Sequence, residues 1–259
     1  MSASTPAAER HTFHARSNAG ASMAALLAIV SRDLLVMRRE ALVFLTQTLI
    51  QPLLLLFVFG KILPSIGTTN AGFSTLLLPG VVALTVFLTA FQGPAVDLAR
   101  DLGVTLEIED RLLAPLPIAL VAIEKVMLAV LRALIGGALV FPLAFWILGS
   151  GYQVRTDLLG VLIGLMVLVA LMGATLGLLL AAVAPIQLLP VIFALIFTPL
   201  IFTGCTFYPW ASLGAIRWYQ VLTLFNPLTY ASEGLRYAMI PPIQGQTQPT
   251  LAIGWIMLM

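Results

Sequence analysis

The sequence predicts an all-α integral membrane protein, and three observations carry that reading. The 259 residues are 60% hydrophobic with a mean hydropathy of +1.05, and only 9% are charged, whereas soluble domains run nearer 45–50% apolar and about 25% charged. The apolar residues fall in runs of roughly 20 or more, the length a helix needs to cross a ~30 Å hydrocarbon core while pairing its own backbone groups. The charges gather instead of spreading: Asp97, Arg100, Asp101, Glu107, Glu109, Asp110 and Arg111 put seven in 15 positions. Lys61 is the only charge between Glu40 and that island, and only Arg155 and Asp157 interrupt the stretch from Ala133 to Ile216. The flanks read as membrane and the island as a water-facing loop.

Residues 1–21 are rich in Ala, Ser and Thr without an apolar period, which predicts a disordered tail. The apolar run from Ala21 to Val30 is followed by Ser31-Arg32-Asp33 and Arg38-Arg39-Glu40 without a convincing cleavage site, so no signal-peptide cleavage is expected. Met23, Leu26, Leu27, Val30, Leu34 and Met37 instead recur at helical spacing, with Arg32, Asp33, Arg39 and Glu40 on other faces. That pattern predicts an interfacial helix over 22–40.

Spans are predicted at about 41–63, 74–96, 118–148, 158–184 and 186–204. A sixth begins at Leu251 and stops at Met259; nine residues cover about half the hydrocarbon core, so this partial span (251–259) cannot cross as written. Counting Lys and Arg near span ends, an N-terminus inside places Arg10, Arg16, Arg32, Arg38, Arg39, Arg100, Arg111 and Lys125 in the cytoplasm. Lys61, Arg155, Arg217 and Arg236 are then outside, and eight against four favours that orientation. The island becomes cytoplasmic and residues 205–250 lie outside, where Tyr208, Trp210, Trp218 and Tyr219 suit an interfacial belt. Ala211 to Ile240 is too polar to cross facing lipid and is expected to lie in the interface or dip partly inward.

Several side chains invite function. Gly103, Thr105, Pro115 and Pro117 bound a short helix at about 104–114 that presents Glu107, Asp110 and Arg111. Its charges belong either to a solvated loop or to a docking surface. In the third span Glu124, Leu128 and Arg132 share a stripe beside Lys125. Glu124 and Lys125 are expected to snorkel at the inner interface, whereas the deeper Arg132 needs a partner on another helix. Phe44, Gln47 and Gln51 share a face of the first span, as a substrate path or as helix-to-helix hydrogen bonds. Gly160-x-x-x-Gly164 and Gly173-x-x-x-Gly177 face nearly opposite sides of the fourth span, which predicts a helix wedged between two neighbours. Asn226-Pro227, with Tyr208 and Trp210, marks either a structural cap or an outer gate.

Other classes are disfavoured. A net charge of +2 with no cluster of basic and aromatic residues gives no footprint for nucleic acid. The single cysteine, Cys205, excludes an intramolecular disulfide, and His11 and His14 sit in the polar tail, so no metal site is expected. Gly60-Lys61-Ile62 lacks the phosphate-cradling pattern, and no catalytic set is present. A secondary transporter or channel should carry a central ion-coordinating site, which is not evident; a non-transporting scaffold is the third alternative.

The order of elements resembles the membrane subunit of type-two ATP-binding-cassette (ABC) exporters over residues 22–240. The strongest pieces are Phe202 to Trp210 (FTGCTFYPW) and Phe225 to Arg236 (FNPLTYASEGLR). Gln51-Pro52 through Phe59-Gly60, Leu78-Pro79-Gly80, and Glu107 through Leu112-Leu113-Ala114-Pro115 support them. The resemblance implies a six-span bundle, here with its sixth span incomplete, forming a permease domain over 22–259. It implies pairing with a second permease copy or paralogue and with a cytoplasmic ABC ATPase subunit that carries ATP and Mg; no cofactor belongs to this chain. The helix at 104–114 would be the coupling helix seated in the ATPase. The substrate implied is drug-like, a glycolipid or a lipo-oligosaccharide, exported across the cell (inner or plasma) membrane.

Overall fold

The computed structural model describes residues 31–67, 72–103, 118–149, 155 and 157–240. The tail, the start of the interfacial helix, the helix at 104–114 with Glu107, Asp110 and Arg111, and the partial span at 251–259 lie outside the described residues. Residues 31–39 are helical and lead into α1 (Ala41–Leu55), which continues as a π-helical segment (Leu56–Ile62) and a last turn (Leu63–Ser65). Then come α2 (Phe73–Gly103), α3 (Ile118–Leu148), α4 (Leu159–Val183) and α5 (Leu189–Thr203). A 3₁₀ segment (Trp210–Ala215), α6 (Arg217–Thr223) and α7 (Pro227–Met239) follow. No strand occurs among the described residues.

Among the described residues, four stretches are long and apolar enough to cross a membrane: Ala41–Ser65, Phe73–Asp97, Ala119–Leu148 and Leu159–Val183. The fifth expected span is shorter than its 186–204 estimate, because Pro190 sets the start of an α-helix of 15 residues after a 3₁₀ turn at Ile186–Leu188. At 1.5 Å per residue α5 rises about 22 Å.

One helix organises the rest. In α2 78% of the apolar window is buried, against 11% in the first stretch, 39% in α3 and 33% in α4. Small residues let backbones close on it: a Cβ at Gly173 or Gly177 of α4 would run into the Phe87 or Phe91 carbonyl of α2, and one at Gly93 would press on Ala129 of α3. Phe91 also meets Phe193 and Phe197 of α5 edge-on, with ring centroids 6.0 and 5.4 Å apart, contacts worth ~0.5–1.5 kcal/mol each beyond burial. The two-sided wedge expected for α4 is half corrected. Gly160 and Gly164 have no heavy atom of another element within 4 Å of a built Cβ, so their face is open in the single chain.

The π-helical segment follows Pro52, which offers no N–H to the preceding turn. It holds Gly60 buried against Leu148 and Lys61 exposed. Gly60-Lys61 is therefore helical backbone in a packed interface, with no loop to surround a phosphate.

The chain between α5 and α7 forms a cap. In α6 and its C-terminal flank, Trp218, Val221 and Phe225 are exposed by 72%, 57% and 83%, while Tyr219, Gln220 and Thr223 turn inward and hydrogen-bond the protein. This is the reverse of a helix resting on a core beneath water. Its outer side continues the apolar surface of α5, where Phe202 is also exposed, and α7 lies buried against α2 and α4.

Candidate functional site

Two ends of the bundle carry polar structure. At the Asp97 end, Arg132 of α3 reaches Asp97 of α2, Nη1 donating to Oδ2 at 2.9 Å and Oδ1 at 3.1 Å. Arg132 thus finds its partner on another helix. Glu124 and Lys125, expected to snorkel, are instead 4% and 5% exposed, and Lys125 Nζ lies 3.6 Å from Asp33 Oδ2 of the 31–39 helix. The correction has a physical cause: helix 31–39 packs over the start of α3 and brings a carboxylate, itself in contact with Arg32 at 3.4 Å, so the ammonium need not reach water.

Above the Arg132–Asp97 pair α1, α2 and α3 enclose a cleft of about 300 Å³. Phe44, Gln47 and Gln51 of α1 all line it, joined by Gln92 and Thr89 of α2. Spacing at i, i+4 put the two α1 amides on one face; the facing Gln92 was missed, since only tertiary packing tells which side of α2 meets α1. Gly136 of α3 lets the three helices close on one another, since a Cβ there would collide with Thr48 of α1 and approach Thr89 and Thr85 of α2. Among the described residues, Gln47, Gln51 and Gln92 make no side-chain hydrogen bond to the protein. Helix-to-helix bonding, one of the two readings for these amides, is not what the structure shows.

At the other end, the Cys205 end, the cap is locked by a pair that sequence reasoning did not single out. Arg236 of α7, counted from its charge as an outer-loop cation, is 1% exposed. Nη1 donates to Glu233 Oε1 at 2.6 Å, Nη2 to the carbonyls of Cys205 at 2.6 Å and Thr206 at 2.9 Å, and Nε to Leu76 at 3.2 Å. Glu233 also accepts the Trp210 N–H at 2.9 Å. Cys205 adopts φ +49°, the left-handed region that a non-glycine residue rarely occupies. A Cβ on Gly80 of α2 would strike the Thr206 carbonyl, so the α2 backbone seals the lock. The available signal was a Glu and an Arg at i, i+3 in a stretch otherwise of small and apolar residues.

The remaining expected residues brace this cap. Asn226 caps α7 by accepting from Leu228 N–H at 2.9 Å and donates to the Leu200 carbonyl and Thr203 Oγ1, both at 2.8 Å. Pro227 supplies the preset φ of the first helical turn. The Tyr208 hydroxyl donates to Phe202 O at 2.7 Å and sits 3.0 Å from the Tyr219 hydroxyl. Burial and that neighbour push the Tyr208 phenol above its usual range. Trp210 Nε1 donates to Gln220 O at 3.2 Å. Tyr208 and Trp210 are therefore partly buried braces, and the exposed belt falls to Trp218. Burial pushes the Cys205 thiol up to about 11, and among the described residues no group of His, Cys, Asp and Glu is placed to hold a metal.

The arrangement is a membrane bundle with a polar cleft at one end and a sealed cap at the other. Comparison with known families matches residues 24–240 to the one described as ABC-2 type transporter. No curated protein matches the chain.

Proposed function

The chain belongs to the ABC-2 type transporter family and is a permease subunit of an ABC transporter; on that premise we propose that it moves an amphipathic substrate outward, driven by a separate cytoplasmic ATPase. The observation that carries this reading is the cleft, which gathers an ion pair and three amides that make no side-chain hydrogen bond among the described residues. Polar groups at membrane depth are costly and mark pathways. Phe44, Gln47 and Gln51 belong to that path, with Arg132 of the two intramembrane charges beside it and Glu124 buried elsewhere in α3.

The Lys/Arg bias supports an N-terminus in the cytoplasm, which puts the Asp97 end beside the ATPase. The charged segment at about 104–114, expected from the sequence to be a helix, then docks that subunit through Glu107, Asp110 and Arg111. A second permease copy or paralogue completes the assembly, and closure of two ATPase subunits rocks the bundles by rigid-body motion. Tyr208, Trp210, Asn226 and Pro227 serve as an outer gate that moves as one braced unit. The drug-like, glycolipid and lipo-oligosaccharide classes all fit an amphipathic path.

The test is to purify the chain from its own cells in mild detergent. An ATPase subunit is expected to accompany it, and charge reversal at Glu107, Asp110 and Arg111 should strip that subunit without affecting membrane insertion. Absence of any ATPase, or indifference to the reversals, would sink the assignment.

A further inference from the structure

The cleft contains more information about its ligand than the permease reading uses. Among the described residues that line it, the one cation is Arg132, which is neutralised by Asp97 at 2.9 Å. Glu40, at the rim, has an interaction of its own. A charged head group entering such a site would bring an uncompensated charge into a low dielectric, at a cost of several kcal/mol.

What the cleft does offer is neutral hydrogen bonding. Gln47, Gln51 and Gln92 each present an amide carbonyl and two N–H donors, and among the described residues none is spent on the protein. The Arg132 Nε and Nη2 donors are likewise unbonded within the described residues, while its charge is already balanced. The three amides and the balanced Arg132–Asp97 pair are donors and acceptors without net charge, and such groups match hydroxyls or amides. The volume of about 300 Å³ is at the small end of ligand cavities, ~300–1,000 Å³, enough for a head group and too little for a whole amphiphile. Val43 and Val96 line the cleft and are exposed, which gives an apolar tail a way out sideways.

We infer that the α1–α2–α3 cleft binds the uncharged, hydroxyl- or amide-bearing head of an amphiphile whose tail stays in lipid, an inference that rests on the permease reading. The arms of the test share a twelve-carbon tail: dodecyl maltoside, dodecyltrimethylammonium and dodecyl phosphate, each titrated onto the full chain in lipid nanodiscs and read by native mass spectrometry. The maltoside is expected to bind tightest. Gln47→Leu, Gln51→Leu and Gln92→Leu should each weaken it about 3- to 10-fold, the effect of losing a hydrogen bond, and leave the two charged probes unchanged. Resistance of Cys205 to maleimide reports that each variant is folded.

Tighter binding of the ammonium or phosphate probe would overturn the inference, as would Leu variants that bind the maltoside as well as the parent. Neither result touches ATPase association. Conversely, failure to recover an ATPase would defeat the exporter reading while leaving head-group selectivity measurable on the chain alone.

Discussion

Arg132–Asp97 and Arg236–Glu233 are the same chemistry put to opposite uses. The first joins two helices, keeps 18% and 14% of its side chains exposed, and leaves guanidinium donors unbonded at a cleft. The second lies within one helix, is sealed, and spends its remaining donors on three carbonyls from two other parts of the chain. A buried guanidinium bonded at all three nitrogens fixes geometry, whereas one with spare donors beside a cavity is available to something that comes and goes. Burial and donor accounting, more than the presence of charge, separate a structural lock from a working site.

The largest effect is expected at the lock. Arg236→Met removes the cation but leaves Glu233 and three carbonyls buried, a loss of ~3–5 kcal/mol. Size-exclusion of a fluorescent fusion should show aggregation, and Cys205, whose thiol lies near 11 and is thus protonated at neutral pH, should become open to maleimide as the cap loosens. A well-folded variant with a protected thiol would show that the lock is dispensable.

A smaller change should follow at the cleft. Arg132→Gln and Asp97→Asn should each leave the protein monodisperse yet reduce substrate-stimulated ATPase activity of the assembled transporter. The double variant should be less impaired than the sum of the two, with a coupling of ~0.5–3 kcal/mol. Strict additivity would mean that the pair does not act as a unit.

Third comes the capping of α7. Asn226→Ala should cost ~1 kcal/mol from the lost cap, with more from the orphaned Leu200 carbonyl, visible as a lower melting temperature in detergent; Asn226→Asp should retain the cap but lose the two donated bonds. Smallest is the exposed Arg155–Asp157 pair at 2.7 Å. Its hydrogen bond to Arg155 holds the Asp157 carboxyl below the usual range, so its contribution is present above the ordinary carboxylate value and lost as pH falls through the lowered one. Exposure and salt screening keep that contribution slight, and Asp157→Asn should leave the melting temperature at neutral pH almost unchanged.

Hydropathy made the long helices legible, because a chain that must satisfy its backbone in lipid has few alternatives to a helix. Neighbours were less legible. Gly173 and Gly177 meet the α2 backbone whereas Gly160 and Gly164 meet nothing in the single chain, although both pairs have identical spacing. Small residues reveal where approach is permitted; which helix arrives is decided by the rest of the bundle. The π-helical register of Leu56–Ile62 has no side-chain signature. Charge proved the most misleading cue, since Asp33, Glu124, Lys125 and Arg236 each look water-facing alone and become buried once another element covers them. Gln47 and Gln51 were readable because a polar pair on an apolar face has no other explanation than a partner or a cavity.

The inverted side of α6 has a consequence at the bench. With Trp218, Val221 and Phe225 directed outward, the Cys205 end has a greasy rim that water cannot wet without cost. A detergent collar sized to the long helices alone would leave this rim bare, and short-chain detergents should therefore promote end-to-end sticking that longer-chain ones, or a lipid disc, suppress.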